Sequence, residues 1–121
     1  MSNLDIATRE NKGVIVVDLT GPIALGDTSA KLHQKLRDLA GEGTKEILIN
    51  LANVTSIDSS GLGTLVAAYT TVEREGGAMK LVNLSERATE LMTITKLYTV
   101  FDIFEDETTA INSFSKAEAA G

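Results

Sequence analysis

Residues 53–69 read NVTSIDSSGLGTLVAAY, an acid, two serines and two glycines set between an apolar run and a helix-like pattern. Upstream, KEILINLA at 45–52 is short and nearly continuously apolar, as expected of a central strand covered on both faces. Downstream, Leu62, Leu65, Val66, Tyr69 and Val72 recur on one face at helical spacing. The stretch is therefore a strand-to-helix junction, and its polar, small residues sit where the chain changes period.

Outward from the junction, strands and helices alternate. VIVVDLTG at 14–21 is a strong β-branched run, and ENKG before it supplies a turn from a weaker strand over Leu4–Arg9. Together they read as a hairpin, with Gly13 supplying the tolerance for positive φ and Gly21-Pro22 ending the second strand. GDTSAKLHQKLRDLAGEG carries Leu32, Leu36, Leu39 and Ala40 at helical spacing, with Asp27 or Thr28 as cap and Gly41 and Gly43 as stop. Gly76-Gly77 stops the helix after the junction, and MKLVNL at 79–84 is another strand. Ser85 caps a third helix through Ala88, Leu91 and Met92. TVFDIF reads as a short extended segment. Asp106 caps a last helix with Ala110, Ile111 and Phe114 inward, before a frayed tail, SKAEAAG.

This order predicts an α/β domain: a mixed sheet of four or five strands, an N-terminal hairpin, about four helices and right-handed crossovers. Residues 1–115 form one domain and 116–121 a flexible tail; no repeat or second domain is visible. At 121 residues the chain is long enough for a real core, and its low aromatic content makes that core aliphatic. The formal charge of -6, with no Lys/Arg cluster, argues against a nucleic-acid groove or an anionic membrane surface as partner. The absence of cysteine excludes disulfides, thiolate catalysis and Cys-ligated zinc. The polar N-terminus lacks a signal-peptide core, and no apolar run approaches the ~20 residues of a membrane span. A cytoplasmic domain is expected.

At the junction, capping alone accounts for an acid or serine, because the first N–H groups of a helix lack internal acceptors. The glycines need a further reason, since each costs ~1 kcal/mol relative to Ala in a helical turn. Close approach of a partner's backbone to Ser59 or Ser60 is one; packing against the sheet is a competing one for Gly63. A nucleophilic serine needs a base, and the one histidine, His33, has no visible spacing to Ser59. G-x-S-x-G is missing, and GEGTK at 41–45 is too short for a phosphate loop and follows a helix. No acidic or histidine group has a metal-ligand spacing. No catalytic residue is assigned.

The segments VTSIDSSGLGTLVAAYTTVEREGG and MKLVNLSERATELMTITKLYTVFDIFEDETTAI resemble the STAS family, the bacterial anti-sigma-factor antagonists. The resemblance runs from the first hairpin to the last helix, and D-S-[ST]-G-[LI]-G after an apolar strand is its most specific mark. It implies that Ser59, directly after Asp58, is phosphorylated by a partner kinase that is also the anti-sigma factor. The unphosphorylated form then binds that partner and releases a sigma factor. ATP and Mg²⁺ come with the kinase, no cofactor belongs to the chain itself, and a phosphoserine phosphatase resets the switch. Asp58, Ser60, Gly61, Leu62 and Asp27 are the implied partner-binding residues, with Ser60 the better placed to cap. The family often has an acidic residue three positions after the glycine ending the second strand; here that position is Ala24, and Asp27 is the candidate to replace it. A STAS subunit of a lipid-transport ABC complex or of a larger signalling assembly is the alternative; a serine hydrolase is a remote one.

Overall fold

The computed structural model describes residues 4–23 and 27–120, with side chains for all of these except Asp27 and residues 115–120. A hairpin opens the fold: β1 (Asp5–Asn11) pairs antiparallel with β2 (Val14–Ile23), from Asp5 opposite Thr20 to Asn11 opposite Val14. The two-residue turn places both Lys12 (φ 52°) and Gly13 (φ 85°) in the left-handed region, whose twist matches that of paired strands. Glu10 and Asn11 thus belong to β1, which is longer than the pattern suggests. Then follow α1 (Asp27–Gly41), β3 (Glu46–Ile57), α2 (Ser59–Arg74), β4 (Ala78–Val82) and α3 (Glu86–Thr95). A short 3-10 turn at Leu97–Thr99, the two-residue β5 (Ile103–Phe104) and α4 (Glu107–Ala120) complete the chain.

The sheet runs in the order β1-β2-β3-β4-β5, with every pair but the hairpin parallel. Residue alternation divides the core in two. Val17, Leu19, Ile47, Ile49, Leu51 and Leu81 point to one face, where they meet Leu32 and Leu36 of α1, Leu65 and Val72 of α2, and Met92 of α3. Val14, Val16, Leu48 and Val82 point to the other, against Ala110, Ile111 and Phe114 of α4. Each such buried aliphatic side chain contributes on the order of 1.5–3 kcal/mol through water exclusion. Three crossover helices on one face and a single return helix on the other leave β3 covered on both, as its apolar run requires.

Helix ends follow local chemistry. α1 stops where the Gly43 and Thr44 N–H groups return to the carbonyls of Ala40 and Leu39, at 3.1 Å each. Ser85 caps α3 by accepting the Ala88 N–H at 3.1 Å. Asp106 caps α4 by accepting both the N–H and the hydroxyl of Thr109.

Four details differ from the sequence reading. Gly21-Pro22 does not end β2: the strand runs to Ile23, and the register with β3 slips between Asp18 and Thr20 and again between Gly21 and Pro22. Each slip gives β3 one extra residue, a bulged arrangement that tolerates Gly21 at φ 112° and a proline without an N–H. β3 itself continues through Ile57, because β2 goes on pairing with it past Ala52. The backbone of 115–120 continues α4, where the reading placed a tail. Thr28 lies within the first turn of α1, while Ala24 and the Asp27 side chain, with their expected roles, lie outside the described residues.

A polar network ties α4 to the hairpin. Arg9 bonds Asp18 (2.7 Å) and both carboxylate oxygens of Glu107 (2.6 and 2.8 Å), and Asn11 also donates to Glu107 (2.7 Å). Asn50 donates to Asp18 (2.8 Å) and accepts from Asn83 (3.0 Å). Lys80, 9% exposed, donates to the Ser113 hydroxyl at 2.9 Å with its ammonium 4.6 Å from the Phe114 ring centroid.

Candidate functional site

The bulged end of β3 delivers the chain to the first turn of α2 at the C-terminal ends of the strands. Asp58 has extended backbone angles (φ -112°, ψ -176°), and its Oδ1 accepts the Gly61 N–H at 2.8 Å while its carbonyl accepts the Leu62 N–H at 3.0 Å. Asp58 is therefore the N-cap, a role worth about 0.5–2 kcal/mol. Ser59 is the first helical residue. It is exposed, and among the described residues its hydroxyl has no hydrogen-bond partner.

Ser60 is not the cap. It is half-buried one residue further in, and its carbonyl accepts the Thr64 hydroxyl at 3.1 Å. That hydroxyl also bonds the Ser29 hydroxyl, which ties the first turn of α1 to that of α2. Neither Ser29 nor Thr64 carries a sequence signal, since their pairing exists only once α1 and α2 pack.

Packing against the sheet, the competing reading for Gly63, belongs to Gly61 instead. A Cβ on Gly61 would lie 2.2 Å from the Ile23 carbonyl oxygen, so this glycine lets α2 seat against the end of β2. Gly63 is exposed, and a Cβ there would meet nothing within 4 Å. Leu62 is 2% exposed and sits in the core. Gly61 and Leu62, expected at a partner surface, instead position the turn from behind, while Asp58, Ser59 and Gly63 face outward and Ser60 does so in part.

His33 lies far from Ser59. It lines a groove with Arg37, Thr71 and Arg74, and Thr71 is twelve residues along α2, about 18 Å from Ser59 at the helical rise. A serine–histidine relay is not assembled. On the other side of Asp58, a groove along β3 is walled by Val54, Ser56, Ser85 and Arg87. Arg87 was not legible as a neighbour of this site, because the contact depends on where α3 begins over the sheet.

Among the described residues, no helix is long and apolar enough to cross a membrane. The STAS domain family model matches residues 5–110. The chain is 37% identical to the anti-sigma-B factor antagonist of Bacillus subtilis, over 84% of this chain and 91% of that protein. Its fold matches an anti-sigma factor antagonist from Mycobacterium paratuberculosis with a TM-score of 0.81 at 22% identity, covering 92% and 93% of the two chains. It also matches SpoIIAA, an anti-sigma factor antagonist of known structure, in its unphosphorylated form (TM-score 0.77, 18% identity, 93% and 97% covered). SpoIIAA from Bacillus in its phosphorylated form matches as well (TM-score 0.70, 19% identity, 91% and 99% covered). With the five-stranded sheet and the outward-facing serine beside the Asp58 cap, the family model and the Bacillus subtilis relative show that the chain belongs to the STAS domain family and, within it, to the anti-sigma factor antagonists.

Proposed function

We propose that the unmodified chain binds an anti-sigma factor that is also a serine kinase, through the outer surface of the first turn of α2, and so frees a sigma factor. Phosphorylation of Ser59 by that kinase switches the binding off. The observation that carries this reading is the division of labour between neighbours: Asp58 caps the helix, and Ser59 is left exposed with an unengaged hydroxyl. A serine held only by capping would lose the helix terminus on modification. This one does not.

Phosphate adds about -1.5 to -2 charge beside Asp58 in a chain already at -6. The positive end of α2 tolerates that charge within the domain. A partner surface shaped for a neutral hydroxyl does not, and an unpaired charge buried at an interface costs roughly 2–5 kcal/mol, about 30-fold to several thousand-fold in affinity. The switch needs no refolding, in keeping with a fold likeness to both forms of SpoIIAA.

The kinase supplies ATP and Mg²⁺, a separate phosphatase resets Ser59, and the cycle runs in the bacterial cytoplasm with no catalytic chemistry from this chain. Phosphopeptide mapping after incubation with the cognate anti-sigma factor and Mg-ATP tests the reading. Phosphate on Ser59 is expected; phosphate on Ser60 alone, or none, would overturn it.

A further inference from the structure

β3 is paired unequally on its two sides. Its β2 side is matched through Ile57, opposite Ile23, but its β4 side stops at Asn50 opposite Val82. Beyond that point the chain after β4 turns away through Asn83, whose φ of 62° is left-handed. The Ala52 N–H is satisfied by the Asn50 side chain at 3.1 Å. Among the described residues, no backbone hydrogen bond joins 53–57 to the end of β4 or to α3. A strand edge of five residues is thus open beside the groove that ends at Asp58, the residue before Ser59.

Natural proteins blunt open edges with charge or proline, because unpaired backbone groups recruit other strands. Residues 51–57, LANVTSI, contain neither, in a chain where 23% of residues are charged. Asn53, Thr55 and Ser56 are exposed, and Val54 and Thr55 are β-branched, which suits strand pairing. The opposite wall of the groove holds Arg87 in the first turn of α3. A cation there opposes the helix dipole, and among the described residues Arg87 has no ion pair or hydrogen bond.

We propose that the open edge of β3 from residue 53 to 57 receives an extended segment of the anti-sigma factor by strand addition, with an acidic side chain of that segment meeting Arg87. Main-chain bonds along the edge supply binding, and Arg87 supplies the charge preference. This rests on the functional reading above and adds its coupling: a phosphate on Ser59, one residue beyond the Asp58 end of the groove, adds negative charge that repels the acidic segment.

Hydrogen–deuterium exchange on the full chain, free and bound to its cognate anti-sigma factor, tests this, together with the affinity of Arg87→Gln. In the free chain the amides of 53–57 on the open side exchange rapidly. In the complex they become protected, and Arg87→Gln binds roughly tenfold more weakly with an unchanged melting temperature. A complex that protects only the first turn of α2 overturns the edge proposal while leaving the functional reading intact. Failure to form any complex overturns both. Edge protection in the free chain that rises with its concentration identifies a second copy as the occupant, and also overturns the proposal.

Discussion

Gly61 and Ile23 are in backbone contact: a Cβ on the glycine would stand 2.2 Å from the isoleucine carbonyl oxygen. No side-chain rotation relieves a clash with a main-chain atom, so α2 must shift on the end of β2. Gly61→Ala is therefore expected to destabilise the fold by about 1–3 kcal/mol, the range for an overpacked site. Gly63→Ala, in open space on the same helix, is expected to be neutral or to stabilise by about 0.5–1 kcal/mol. Urea denaturation of both variants checks the pair. Equal effects would contradict the assigned contact.

The cap assignment gives a second test. Asp58→Ala removes the acceptor for the Gly61 N–H and should cost about 0.5–2 kcal/mol, while Asp58→Asn should retain most of the stability. Ser59→Ala and Ser60→Ala should each stay within about 0.5 kcal/mol of the parent. Thermal melts of the four variants decide it. A loss at Ser60→Ala as large as at Asp58→Ala would return the capping role to Ser60.

Acid should loosen the α4 face. Hydrogen bonds from Arg9 lower the Glu107 carboxyl from its ordinary 4.5 to about 2; partial burial opposes this and Asn11 assists. Arg9 also lowers Asp18, against partial burial and with help from Asn50. A carboxyl depressed in the folded state contributes stability that is complete above its unfolded pKa and is lost as pH falls through the folded one. Stability should therefore drop from about pH 4.5 toward pH 2, and Glu107→Gln should flatten that slope. Urea midpoints at several acidic pH values measure it. A parental slope in Glu107→Gln would show that other groups dominate.

What the sequence made legible was whatever has a period or a local cap. The helical face of Leu62, Leu65 and Val72 and the caps Ser85 and Asp106 required only neighbouring residues, and all are found as read. The family resemblance singles out Ser59 from the same local run, and the fold leaves it exposed directly after the Asp58 cap. What escaped depends on contacts across the chain. Gly61 and Gly63 are indistinguishable until Ile23 is placed against one of them. The strand boundary at Gly21-Pro22 was misplaced because pairing with β3 carries β2 past a local turn signal. The network from Arg9 through Asp18 to Asn50 and Asn83 joins residues up to 74 positions apart, and has no signature in any window of sequence. Leu62 is buried, as its place on the helical face requires, so the partner-binding role implied by the resemblance does not fit its side chain.

The central claim is that one phosphate on Ser59 decides whether the chain binds its partner. Its most direct test is calorimetric titration of the cognate anti-sigma factor with two preparations, unmodified protein and protein phosphorylated stoichiometrically at Ser59. The account predicts tight binding by the first and a loss of about 30-fold to several thousand-fold for the second, with both folded to the same extent. Equal affinity for the two preparations would contradict it.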